Sequence, residues 1–190
     1  SPVQVGTSSW SSVSASARYT MAIRSDNTLW GWGDNTYGQL GQNNITGYSS
    51  PVQVGSLTNW KQITPGQWAF LSVKTDGTLW SWGYGNYGQI GNGSVNVNYS
   101  SPVQIGALTT WRRASMGVAN GCAVKQDGSL WAWGDNTYGE LGIGNTYSWA
   151  QLSAGYSHIL ALRNDKLLFA WGYNNNGQLG NCSTLNTSSP

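Results

Sequence analysis

One ten-residue segment occurs four times in this chain, and that repetition limits its architecture more than any other feature. Trp32–Gly41 reads WGDNTYGQLG. It returns as WGYGNYGQIG from Trp82, WGDNTYGELG from Trp133 and WGYNNNGQLG from Trp171, at intervals of 50, 51 and 38 residues. A second marker, Trp10, Trp60, Trp111 and Trp149, keeps the same three intervals. A third, SPVQ[VI]G, stands at Ser1–Gly6, Ser50–Gly55 and Ser101–Gly106. It is missing between Gly142 and Trp149, which accounts for the short last interval. A period near fifty residues means like units stacked side by side, each burying its apolar face against the next.

Within a unit the pattern is that of strands. LWGWG, LWSWG, LWAWG and LFAWG alternate with a period of two. Before them run Thr20–Arg24, Phe70–Lys74, Gly121–Lys125 and Ile159–Arg163, joined to them by Asp26-Asn27, Asp76-Gly77, Asp127-Gly128 and Asp165-Lys166. Such pairs predict two-residue type I′ hairpins, with both central residues at positive φ. A first strand follows each Trp10-type residue, and PVQVG makes a fourth, its Pro at a strand start or sheet edge. The fold class expected is all-β: propeller blades of four-stranded antiparallel sheets. No window shows a 3.6-residue period, and 26 Gly argue against long helices.

Composition supplies the core. The chain carries only 9 basic and 7 acidic residues, net +2, while 12 Trp and 10 Tyr provide apolar surface. That charge gives no footprint for nucleic acid or anionic lipid, and no segment is apolar enough for membrane insertion. The chain does not start with Met, as expected of a mature, processed or excised segment. Cys122 occupies the column of Met21, Leu71 and Leu160 and reads as a small buried hydrophobe.

The marker WG-x-N-x-x-GQLG, preceded by a DG turn and LW, resembles the regulator of chromosome condensation repeat family over essentially the whole chain. The low-charge, Ser/Asn/Thr-rich repeats are most similar to its bacterial and phage branch. The resemblance implies a ring of seven blades, of which four repeats fill part. The chain is therefore expected to form part of a larger or shared ring, with units near 7–55, 56–106, 107–148 (shortened) and 149–190. Ser1–Gly6 is either a closing strand for the Trp149–Gly180 blade, giving a tight four-blade disc, or a strand of an upstream blade.

Four internal copies also separate framework from variable positions. Eleven of the Trp fall in the columns Trp10/60/111/149, Trp30/80/131 and Trp32/82/133/171, which read as blade-to-blade packing. Gln39, Gln89, Gln178 and the outlier Glu140 read as partners of turn backbone. Variation concentrates before the second strand: Ser16–Tyr19, Gly66–Ala69, Gly117–Asn120 and Gly155–His158. Loops in one register gather on one face of a propeller. The expected partner-binding residues are therefore Arg18, Tyr19, Gln67, Trp68, Val118, Tyr156 and His158, with large aromatics and Arg as anchors. The Asn/Ser/Tyr-rich segments Gln42–Ser49, Asn92–Ser100 and Ile143–Ser148 compete for that role.

Catalysis is not expected. There is one His, His158, and one Glu, Glu140, and the Asp residues sit in turns. No metal site, phosphate loop or cofactor is implied. The resemblance implies guanine-nucleotide exchange on a small GTPase, chromatin binding, a plant ultraviolet-B photoreceptor or secreted β-lactamase inhibition. The reading favoured is a non-enzymatic module for recognition or structural decoration. Its partners would be a protein or carbohydrate surface and neighbouring propeller blades or chains, in an extracellular or virion setting. Exchange on a GTPase, or enzyme inhibition, is the alternative.

Overall fold

A computed structural model describes residues 1–142 and 149–189; the variable segment Ile143–Ser148 and the end of the third unit lie outside the described residues. Among the described residues fourteen strands form four antiparallel sheets. The first holds β1 (Trp10–Ala15), β2 (Tyr19–Arg24), β3 (Leu29–Gly33) and β4 (Tyr48–Gln53) in that order. The second holds β5 (Trp60–Pro65), β6 (Ala69–Lys74), β7 (Leu79–Gly83) and β8 (Tyr99–Gln104). Two three-stranded sheets follow: β9 (Trp111–Met116), β10 (Asn120–Lys125) and β11 (Leu130–Gly134), then β12 (Trp149–Ala154), β13 (His158–Arg163) and β14 (Leu168–Gly172). No helix among the described residues is long and apolar enough to cross a membrane.

The sheets stack in chain order as blades. β5 packs on β1 and β2, β9 on β5 and β6, and β12 on β9 and β10. The first strands of successive blades thus approach one another, which puts them at the hub. Among the described residues Ser1–Gly6 pairs with no strand of any sheet. A bridge between Gly172 and Thr187 stands where Gly33 pairs with Tyr48 and Gly83 with Tyr99.

Each repeated marker has a packing role. Trp82 is fully buried and donates from Nε1 to the Gln39 carbonyl of the preceding blade at 2.9 Å. Trp133 does the same to Gln89 (2.8 Å) and Trp171 to Glu140 (2.9 Å). The GQLG turn receives that indole because Gly41 has φ +69° and no side chain; a Cβ there would lie 2.9 Å from Trp82 Nε1. The side chains of Gln39, Gln89, Gln178 and Glu140 each accept a backbone N–H two residues back, as expected. A bulge after each Trp10-type residue lets Trp60 and Ile63 share one face despite their spacing. Cys122 is fully buried and unpaired.

One local expectation is corrected and one sharpened. The hairpins are not type I′: only the second residue of each pair has positive φ (Asn27 61°, Gly77 78°, Gly128 86°, Lys166 75°). Asn27 N–H donates to Arg24 C=O at 2.9 Å, closing a type I turn followed by a left-handed residue, a three-residue loop. Asp26 Oδ1 enforces it by accepting both the N–H and the hydroxyl of Thr28 (3.0 and 2.6 Å). The fourth strand begins at Tyr48 and Tyr99, ahead of the expected start at PVQ, so of the two positions expected for Pro51 and Pro102 it is the sheet edge that they take. Both strands are sheet edges, where a missing N–H costs no ladder bond.

Beneath each hairpin a cation lies over the aromatic columns. Arg24 sits 3.5 Å from the Trp30 ring centroid, Lys74 3.5 Å from Trp80 and Lys125 3.8 Å from Trp131.

Candidate recognition face

The turns leaving β1, β5, β9 and β12 come together at one end of the hub. They frame a hollow of about 370 Å³ whose rim includes Ala17, Gln67, Val118 and Tyr156, one residue from each variable loop. These four were expected on one face, and the structure brings them there because their strands are the hub strands. Tyr156 is 68% exposed, whereas Gln67 and Val118 are half-buried. Ser16 joins adjacent loops by donating to the Gly66 carbonyl at 2.7 Å.

Beside this mouth, at the junction of the first two blades, lies a smaller hollow of about 160 Å³. Its walls are Ala17, Arg18, Asp34, Thr36, Tyr37, Gln67 and Trp68. Arg18 is exposed and Trp68 half-buried. Trp68 is not sealed inside its own blade. Its ring packs edge-on against Tyr37 of the preceding blade (5.9 Å) and Tyr84 of its own (5.6 Å), and Tyr37 meets Tyr84 at 4.8 Å. Tyr87, 51% exposed, extends the cluster from Tyr84 at 6.1 Å. The Thr36 hydroxyl, then its N–H, holds the Asp34 carboxyl below the usual carboxylate range, and the Arg18 charge adds to this. Burial, with Tyr87 and Tyr37 alongside, raises the Tyr84 phenol.

Two expected residues leave the face. Tyr19 is 2% exposed and bonds through its hydroxyl to the carbonyls of Gly66 (3.0 Å) and Ala69 (2.7 Å), clamping the first blade to the second. It is an interblade residue, because its strand position points into the junction rather than out of the loop. His158 occupies the same column in the fourth blade, half-buried against Gly155, and burial lowers its imidazole pKa. The competing segments are partly spent on the scaffold. The Asn35 side chain donates to the Asn44 and Thr46 carbonyls, and Asn43 N–H donates to Ser100 C=O of the next blade.

Sequence reasoning missed Asp34, Tyr37, Tyr84 and Tyr87 by assigning them to the repeated turn. The signal was present as an alternation after WG: Asp34, Tyr84, Asp135, Tyr173. A Tyr there can stack on the Tyr that ends the preceding blade's turn. Tyr37–Tyr84 and Tyr138–Tyr173 (4.9 Å) do so.

The profile of the regulator of chromosome condensation (RCC1) repeat matches residues 10–39, 112–140 and 149–178, and a second profile of the same repeat matches 26–70 and 76–124. The chain belongs to the RCC1 repeat family. Among characterised RCC1-repeat proteins, it is 31% identical over 132 residues to the E3 ubiquitin-protein ligase HERC2 of Homo sapiens, covering 67% of this chain and 3% of HERC2. It is 32% identical over 136 residues to the ultraviolet-B receptor UVR8 of Arabidopsis thaliana, covering 70% of this chain and 31% of UVR8. The chain thus spans under a third of either relative. In three dimensions it resembles human WBSCR16 (TM-score 0.86, 21% identity, 99% of this chain and 54% of the other). It is equally similar to Prp20p of Saccharomyces cerevisiae, studied for its binding to Gsp1p and histones (TM-score 0.86, 18% identity, 98% and 51%). At these identities the likeness shows the RCC1-type propeller fold.

Proposed function

We propose that this RCC1-repeat segment is a non-enzymatic recognition module that binds a partner protein through the hub-mouth face. The observation that carries the reading is the convergence of all four variable loops on one rim, while the positions that repeat are used up in blade packing. A surface that differs in every copy of an otherwise repeated unit is where a specific partner can be read without disturbing the stack. Prp20p, which has this fold, is a protein-binding propeller, and that supports a protein as the partner class.

The absence of catalysis in this proposal is supported by how the acids are used. Asp26, Asp76 and Asp127 each hold the N–H and hydroxyl of the residue two positions on, and Glu140 holds the Tyr138 N–H. These carboxylates stabilise turns and are not gathered around a cleft. We further propose an extracellular or virion setting, supported by the low charge and the Ser/Asn/Thr-rich loops.

The test is comparative capture with quantitative proteomics from extracts of candidate host surfaces. Three baits are needed: the wild-type chain, a mouth variant (Gln67→Ala, Val118→Ser, Tyr156→Ala) and a control (Leu57→Ser, Leu108→Ser) away from the mouth. Proteins enriched by wild type should persist with the control and vanish with the mouth variant. Equal enrichment by the mouth variant overturns the reading.

A further inference from the structure

The 160 Å³ hollow between the first two blades has a chemistry of its own. It lies below the roughly 300–1,000 Å³ of sites for drug-sized ligands, so it admits one ring rather than an extended molecule. One wall is aromatic, from the half-exposed Trp68 and Tyr37. The other is polar and carries one group of each sign. Arg18 only donates and Asp34 only accepts, and they do not close into an ion pair with each other. Asp34 spends Oδ1 on Thr36, while Oδ2, the Arg18 guanidinium and the Gln67 amide bond to no protein group among the described residues.

That inventory selects by charge. A cation attracted to the rings meets Arg18, and an anion attracted to Arg18 meets Asp34. A neutral ligand suits both if it has one apolar face for the rings and an edge of hydroxyls that each donate and accept. A pyranose has that construction: its axial C–H bonds lie against the electron-rich ring face, and its hydroxyls satisfy donor and acceptor walls together. Among the described residues no other junction combines these groups. The column holding Arg18 continues as Trp68, Ala119 and Ser157, so Arg, Asp and Trp meet only here.

We infer that this hollow is a subsite for one pyranose unit of a neutral glycan, stacked on Trp68 with its hydroxyls shared between Arg18 and Asp34. The inference rests on reading the hub-mouth face as the recognition surface, to which the subsite is a lateral extension.

Saturation-transfer difference NMR on the full chain tests it. The probes are methyl pyranosides of glucose, galactose, mannose and N-acetylglucosamine, with choline and acetate as charged comparators. At least one pyranoside should give its strongest transfer at ring C–H protons. Trp68→Ala should abolish the signal, and Arg18→Gln or Asp34→Asn should weaken affinity by about tenfold, as expected for lost charge-assisted hydrogen bonds. Leu108→Ser, an exposed position outside both hollows, should leave it unchanged. No transfer to any pyranoside at tens of millimolar, transfer undiminished in folded Trp68→Ala, or transfer to choline or acetate alone overturns the inference. Silent sugars with a captured protein still lost from the mouth variant remove the glycan subsite alone. Intact sugar binding with capture indifferent to the mouth variant removes the protein-recognition reading alone.

Discussion

Truncating Trp82 tests the framework at its most loaded point. The side chain has no exposure, lies tilted against Phe70 at 4.5 Å and edge-on to Trp60 at 5.7 Å, and donates to the Gln39 carbonyl across the blade junction. Burial of about 150–250 Å² at roughly 25 cal/mol per Å² gives a gross upper bound of about 4–6 kcal/mol. Measured large-to-small aromatic changes cost about 3–5 kcal/mol, which is the loss expected for Trp82→Ala. Trp82→Phe keeps most of the packing and orphans the Gln39 carbonyl, so about 1–3 kcal/mol is expected. Trp32 holds the same column on the first blade, where it is only half-buried. Trp32→Ala should therefore cost less. Urea melts monitored by circular dichroism give midpoint and slope for each variant. A loss below about 1 kcal/mol for Trp82→Ala, or equal losses at Trp82 and Trp32, would refute the assignment of this column to junction packing.

Three further outcomes follow from the same geometry. Gly41→Ala should destabilise by clearly more than Gly55→Ala. Both have positive φ, a cost of about 1–2 kcal/mol, but only Gly41 has an indole 2.9 Å from the added Cβ; equal urea midpoints would contradict this. Tyr19→Phe should cost about 0.5–1.5 kcal/mol, the net worth of the lost hydroxyl bonds, because the Gly66 and Ala69 carbonyls keep Ser16 Oγ and the Gly66 N–H as donors; a melt indistinguishable from wild type would remove the clamp. Burial pulls the Lys74 ammonium down to about 8, against about 10.4 in the unfolded chain. Between those values the unfolded chain binds the extra proton, so the Lys74 contribution to stability should rise from about pH 8 toward 10, opposed above about pH 8.5 by the Cys122 thiol, which burial holds protonated in the fold. Above about pH 10 the phenol of Tyr19, which burial holds protonated in the fold, opposes it too. In a pH series of melts the stability of wild type relative to Lys74→Met should rise across that window, and a difference that falls contradicts the assignment. In acid, Asp26, Asp76 and Asp127, held low chiefly by Thr28, Thr78 and Ser129, lose their contribution as pH drops below about 4.

The blades were legible because four copies average out local ambiguity: a Trp that returns with its turn at fixed spacing must be packing against its own kind. The hairpin turn was misread because Asp-Gly serves two loop types. What distinguishes them is the residue after the pair, since Thr28, Thr78 and Ser129 offer the Asp two donors and hold it out of the left-handed region. Tyr19 was misplaced for a related reason. Its column varies as Tyr19, Ala69, Asn120 and His158, and variation there reports what fills each junction rather than what meets solvent. The aromatic cluster went unseen because it joins residues of two units, Tyr37 with Trp68 and Tyr84, and alignment of a unit against itself hides pairs that cross its boundary.

The central claim is that recognition belongs to the variable-loop face and folding to the repeated framework. Titration calorimetry of a captured partner against Trp68→Ala tests it most directly, with a urea melt of the same variant beside it. Trp68 is the largest partly exposed side chain of these loops and lines the lateral hollow, which shares Ala17 and Gln67 with the mouth. The account predicts a loss of about 2 kcal/mol or more in binding, the threshold of an interface hot spot, with the cooperative unfolding transition retained. An unchanged affinity in the folded variant would contradict it.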